Sequence, residues 1–227
     1  MNDETQLDWQ PVPTPARAPL DGRFVRLEPV DASRHGDDLW PALQSPDGDP
    51  RLWDYLGYGP FADRAAFDAW LKGNQASIDP QFFTVIDRAS GRAVGLLSYL
   101  RIAPNDGCIE IGHIAFGAPM QRSPASTEAV YLLARLAMSE LGYRRLEWKC
   151  NALNARSMRA AERLGFTYEG LFRQHMVVKG RNRDTAWFSI IDSEWPAVRD
   201  AFEGWLAVDN FDGQGQQKRR LEDFRKT

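Results

Sequence analysis

The sequence predicts an α+β fold: a mixed, mostly antiparallel sheet with one parallel step in its middle and helices on both faces. Three observations predict it. Segments 82–86 and 94–101 are apolar strand patterns joined through Ser90 and Gly91, and another turn follows at Pro104, Asn105, Asp106 and Gly107, so the front half reads as consecutive hairpins. Segment 108–166 instead reads strand, turn, amphipathic helix, strand, Asn-x-x-Ser turn and helix, an order that lays two strands side by side in parallel. Segments 171–179 and 185–191 form a last hairpin around Gly180.

The chain reads as one domain, 21–207, between a proline-rich arm, 1–20, and a charged tail, 208–227. Phe24, Arg26 and Glu28 alternate with Val25, Leu27 and Val30 as a first strand does, and Asp31 and Ser33 offer caps for a helix running to Gln44. Segment 45–60 is rich in Asp, Gly and Pro yet carries Trp53, Tyr55, Leu56 and Tyr58, so it reads as an ordered loop or short helix whose rings either pack or contact a ligand. Asp63 caps a helix through Gln75 with Phe67, Trp70 and Leu71 on its inner stripe. In the central helix Ser123 stands at the N-cap and Pro124 at the first helical position, and Ala129, Leu132, Leu133, Leu136, Ala137 and Leu141 form the inner stripe. A last helix spans 193–207, and segment 218–226, alternating basic and acidic residues, reads as a solvated helix or as disordered.

Composition narrows the function classes. With 43% hydrophobic residues, 8 Trp and 12 Phe the chain can fill a core, and no run approaches the ~18–20 apolar residues of a membrane span. The start, with Asp3 and Glu4 before Pro11, Pro13, Pro15 and Pro19, lacks the basic and apolar blocks of an export signal, so a cytoplasmic location is expected. A net charge of −3 gives no reason to expect a nucleic-acid partner. Cys108 and Cys150 lie in strand patterns and read as buried thiols rather than a disulfide. A homodimer is left open.

The strand beginning at Cys108 carries the first chemical signal. Ile109 and Ile111 mark one buried face, but the next apolar residues are Ile114 and Phe116, so the parity flips near Gly112 and His113. Such a flip predicts a β-bulge, which frees backbone groups and brings Glu110 and His113 to one surface as candidate proton acceptors. A metal site from Cys108, Glu110 and His113 lacks a second ligand cluster and is not expected. The next signal is the start of the central helix, where open amides of Ala125, Ser126 and Thr127, with Arg122 beside Ser123, suit a phosphate.

Past those residues the chain resembles a known family. The run Asn151-Ala-Leu-Asn154-Ala-Arg-Ser157, followed by Leu164-Gly165-Phe166-Thr-Tyr-Glu-Gly170, is similar to the signature of the GCN5-related N-acetyltransferases, in particular the branch of bacterial ribosomal-protein N-terminal acetyltransferases. The family's pyrophosphate loop, Gln or Arg-x-x-Gly-x-Gly or Ala, falls on Gln121, Pro124 and Ser126, with both glycine positions replaced. The resemblance implies a splayed parallel strand pair at the middle of the sheet with acetyl-CoA threaded through it. It further implies pantetheine contacts at Ile114, Phe116 and Asn154, phosphate contacts along Gln121, Arg122, Ser123, Ala125, Ser126 and Thr127, and Ser157 near the cofactor sulfur. Ala161 stands where many members place a general-acid Tyr, so Ser157 becomes the candidate donor to the leaving thiolate. Glu110 becomes the proton acceptor, with Trp53, Tyr55, Tyr58 and His175 flanking the amine. A catalytically silent acyl-CoA sensor is the alternative. Near neutrality an α-amine lies about one pKa unit from its free-base form and a lysine more than ~3, a deprotonation cost of roughly 1 against 4.6 kcal/mol, which favours a peptide N-terminus or a low-pKa small amine.

Overall fold

The structure is a computed structural model that describes residues 7–44 and 49–225. One eight-stranded sheet runs through it in the order β1-β2-β3-β4-β5-β6-β8-β7. Its strands are β1 (Leu20–Asp21), β2 (Val25–Pro29), β3 (Gln81–Asp87), β4 (Ala93–Ala103), β5 (Cys108–Phe116), β6 (Arg145–Asn151), β7 (Thr167–Val178) and β8 (Arg181–Ile191). Every neighbouring pair is antiparallel except β5 with β6. The expected mixed sheet is therefore present. The last hairpin folds back so that β8 lies between β6 and β7, and the two-residue β1, read as part of the arm, adds an edge.

Helices cover both faces. Residues of α1 (Ala32–Gln44) and α2 (Arg64–Ala76) join Phe82, Leu96 and Ala115 in one hydrophobic cluster, while α3 (Pro124–Arg135), α4 (Ala155–Leu164) and α5 (Trp195–Leu206) join Phe83, Val85, Ile109 and Ile111 in the other. The caps expected at Asp31 and Asp63 form, and Asn154 caps α4. Asp31 Oδ1 accepts from the amides of Ser33 and Arg34, Asp63 Oδ1 from Ala66 at 2.8 Å, and Asn154 Oδ1 from Ser157 at 3.1 Å. Gly165, at φ 99°, closes α4 in the left-handed region that a side chain resists.

Three expectations are corrected. α3 is not amphipathic in place: every residue from 127 to 134 is buried, because α5 lies over its outer side with Tyr131 and Phe202 packed at 5.3 Å. The described part of the charged tail is docked, not solvated or disordered, and the described part of the arm is held as well. Trp9 Nε1 donates to Asn105 O, Arg17 to the carbonyls of Gln75 and Ser77, Leu221 is fully buried and Arg225 donates to Arg163 O. Cys108 is only partly buried, at the mouth of a surface hollow beside Trp9, so it is not a core thiol. Among the described residues no helix is long and apolar enough to cross a membrane.

Candidate active site

The parallel ladder between β5 and β6 lasts three residue pairs and stops at Glu110 opposite Glu147. Beyond it the strands part. β5 is forced away by the bulge that its sequence parity predicts: Leu96 pairs with Ala115 and Ser98 with Gly112, so Leu97 faces both His113 and Ile114. His113 takes the extra residue's strain at φ 50°, and Ile114 and Phe116 return to the same core face as Ile109 and Ile111. The gap is a cavity of about 220 Å³ between Ile111, Gly112, His113 and Ile114 on one side and Trp148, Lys149, Cys150 and Asn151 on the other.

Of the residues expected at the site, Tyr55, Glu110, His113, Ile114, Asn154 and Ser157 line this cavity together. Glu110 is buried, and its Oε2 receives Arg101 Nη1 at 2.6 Å and lies 3.1 Å from Lys149 Nζ. Oε1 has no protein hydrogen-bond partner among the described residues and so remains available to a ligand. Lys149 also meets Glu147 Oε2 at 2.6 Å. Burial works against the Glu147 carboxylate, but hydrogen bonds from Lys149 and Arg145 hold it below the ordinary carboxylate range. Ser157 receives a hydrogen bond from Trp148 Nε1 at 3.0 Å, which orients the hydroxyl, and it also interacts with the neighbouring Cys150 thiol. Burial keeps the Cys150 thiol above its usual range, and a neutral thiol is a poor nucleophile.

His113 has a different standing. Burial, reinforced by Arg101 and Arg183, pushes its pKa down to about 4, so the ring is neutral at physiological pH, with Nδ1 2.9 Å from Tyr58 Oη. The unfolded chain binds this proton first as pH falls, so the stability is complete above the unfolded value of ~6.5 and is lost towards the folded one. Between neutral pH and about pH 4, the wild type is expected to lose roughly 3 kcal/mol more than a His113→Asn variant. Urea unfolding at both pH values checks this, and parallel losses in the two proteins would count against it.

Other expected residues lie elsewhere. Trp53 is buried in the α1/α2 core with Nε1 donating to Leu43 O, so it is packing and not a cavity wall. Tyr58 stands behind His113, and burial pushes its hydroxyl pKa well up. His175 bonds Thr185 and packs near Trp187, away from the cavity lining. Phe116 lies farther along β5, its carbonyl taken by Gln121 Nε2 at 3.2 Å. At the start of α3 the Ser123 hydroxyl donates to Met120 O instead of capping. Ser126 Oγ donates to Ser123 O, while the amides of Ala125 and Ser126 find no acceptor among the described residues. Exposed Arg122, at φ 59°, flanks these open amides. Thr127 is buried and accepts from Arg163 Nη1, so it faces α4 and not the open turn.

Sequence reasoning missed Arg101, Lys149 and Arg183, which also line the cavity. A signal existed for Lys149: in Arg145-Leu-Glu-Trp-Lys-Cys150 the charged residues alternate with core residues, which puts a charged row on the sheet face shared with Glu110.

A strand pair parted by a bulge, followed by a helix with open first-turn amides, can seat an extended phosphorylated ligand, and comparison with known proteins gives the class. Residues 25–167 match the Acetyltransferase (GNAT) domain, and the chain belongs to that family. A crystal structure of a GCN5-related N-acetyltransferase from Brucella melitensis is 51% identical, covers 97% of this chain and 99% of its own, and superposes with a TM-score of 0.94. The uncharacterized N-acetyltransferase p20 of Bacillus licheniformis is 29% identical over 150 residues, 65% of this chain and 84% of that protein. The fold alone is shared with the Salmonella typhimurium enzyme that modifies the N-terminal serine of ribosomal protein L7/L12, at 20% identity and a TM-score of 0.64 over 75% of this chain and 96% of the other. This protein is an acyltransferase.

Proposed function

We propose that the protein transfers an acetyl group from acetyl-CoA directly to a primary amine, a peptide N-terminus or a small amine, within a ternary complex. The observation that carries this reading is the convergence of a carboxylate with an oxygen open to a ligand, Glu110, and an oriented hydroxyl, Ser157, on one gap between parted strands. The residues present fit the donor: β5 beyond Glu110 has no partner strand on the gap side, and the amides of Ala125 and Ser126 beside Arg122 offer N–H groups and positive charge to a diphosphate. Acetyl-CoA, when bound, supplies the acyl thioester.

Glu110 Oε1 takes a proton from the amine, directly or through water, and the cations Arg101, Lys149 and Arg183 around it favour the neutral, nucleophilic form of that amine. Ser157, held by Trp148, donates towards the departing sulfur. His113 contributes an uncharged polar wall, and Tyr55, its hydroxyl anchored on Leu153 O, closes the acceptor side. Burial keeps Cys150, the thiol lining the cavity, protonated and so a poor nucleophile for a covalent acyl-enzyme, which supports direct transfer. The likeness to the L7/L12-modifying enzyme favours a peptide N-terminus, and the two free cysteines accord with a reducing cytoplasm.

Calorimetry with acetyl-CoA combined with thiol release over an amine panel tests the reading. Binding with release on at least one amine is expected; binding with no release on any would make the protein a silent acyl-CoA sensor. Asn154→Ala is expected to weaken acetyl-CoA binding about 3- to 10-fold, and Asn154→Asp, which keeps the helix cap, separates ligand contact from folding. Wild-type affinity in both variants would reduce Asn154 to a cap.

A further inference from the structure

One cation of the cavity has no ion-pair partner among the described residues. Arg101 is paired with Glu110, and Lys149 with Glu110 and Glu147. Arg183, on β8 opposite Met176, lines the same space, yet among the described residues no carboxylate lies within ion-pair distance of it and its side chain makes no hydrogen bond. Its Nε is buried without an acceptor. Desolvation of the half-buried guanidinium pulls its pKa down, only partly offset by Cys150 and Glu110. A guanidinium does not shed its proton in a protein, so the cost of burial persists until an anion arrives. Its planar fork fits a carboxylate or a phosphate with two parallel hydrogen bonds.

We infer that the acceptor amine carries an anionic group, carboxylate or phosphate, close to its nitrogen, and that Arg183 is the residue that selects it. This rests on the acetyltransferase reading of the same cavity. The diphosphate of acetyl-CoA does not meet the need, because its expected seat is the turn before α3, whose residues are absent from the lining that contains Arg183. Three cations facing one carboxylate also disfavour polycationic acceptors, since like charges in a confined space repel.

The test uses matched acceptors that differ only in the anion: an amino acid and its amide, glucosamine 6-phosphate and glucosamine, and tripeptides with Glu or Lys at the second position. For each pair kcat and KM are measured, and binding to the full-length protein saturated with CoA is followed by calorimetry. The anionic member of at least one pair is expected to be favoured by about tenfold or more, through KM and Kd. Which pair responds identifies the source of the anion. Arg183→Gln should abolish the preference and leave acetyl-CoA affinity unchanged, while Arg183→Lys should retain part of it. Equal use of both members in every pair, a preference for the cationic tripeptide, or an Arg183→Gln variant with the wild-type ratio would overturn the inference. Anion-selective binding without turnover would sustain it while sinking the catalytic reading, and turnover without selectivity would do the reverse.

Discussion

Glu110→Gln is expected to lower kcat by about 10²-fold or more while leaving acetyl-CoA affinity within about twofold. The amide keeps the size of the side chain and one acceptor oxygen but cannot take a proton from an ammonium. The substitution also removes the charge on which Arg101 and Lys149 converge, so a fall in rate could reflect a displaced wall. Two readouts separate these causes. Loss of proton acceptance should lower kcat with KM little changed, whereas a displaced wall should raise KM. Wild-type turnover in the variant would remove Glu110 from the role and leave a water chain to carry the proton.

Glu128→Ala is expected to cost about 3 kcal/mol or more of folding stability, read from urea unfolding. The buried Glu128 carboxylate accepts from the backbone amides of Arg23, Phe24 and Val25 at 2.7, 2.6 and 2.8 Å, so one side chain of α3 satisfies the turn that enters β2. Gly22 is the partner in this fit: a Cβ there would stand 2.5 Å from Glu128 Oε2. Alanine would strand the buried amide of Val25 and the part-buried amides of Arg23 and Phe24, and each buried, unpaired donor costs about 1–3 kcal/mol. Glu128→Gln, which keeps one acceptor oxygen, should lose less. A cost below about 1 kcal/mol for alanine would mean that water enters and replaces the carboxylate.

Glu128 shows where a motif was legible but its physical use was not. Ser126 and Thr127 read, by resemblance, as contacts of the phosphate turn, and Glu128 follows them directly. In the fold Ser126 stays at the turn, while Thr127 bonds Arg163 and Glu128 bonds the first hairpin. A helix sends successive side chains in directions about 100° apart, so neighbours in sequence serve different partners once three elements surround it. Trp53 teaches the converse. A ring in a Gly- and Pro-rich loop looked available to a ligand, yet Phe61, Trp70 and Tyr58 enclose it.

Short-range features were decided by the sequence itself: the caps at Asp31, Asp63 and Asn154, the left-handed stop at Gly165, and the bulge at Gly112 and His113. Each depends on hydrogen bonds or steric limits within a few residues, so neighbours alone encode it. Tertiary structure alone decided that Arg101 from β4, Lys149 from β6 and Arg183 from β8 would surround Glu110, and that β8 would lie beside β6. Register and strand order are chosen by which faces can be buried together across the whole sheet, so residues more than seventy positions apart meet only after the core has formed.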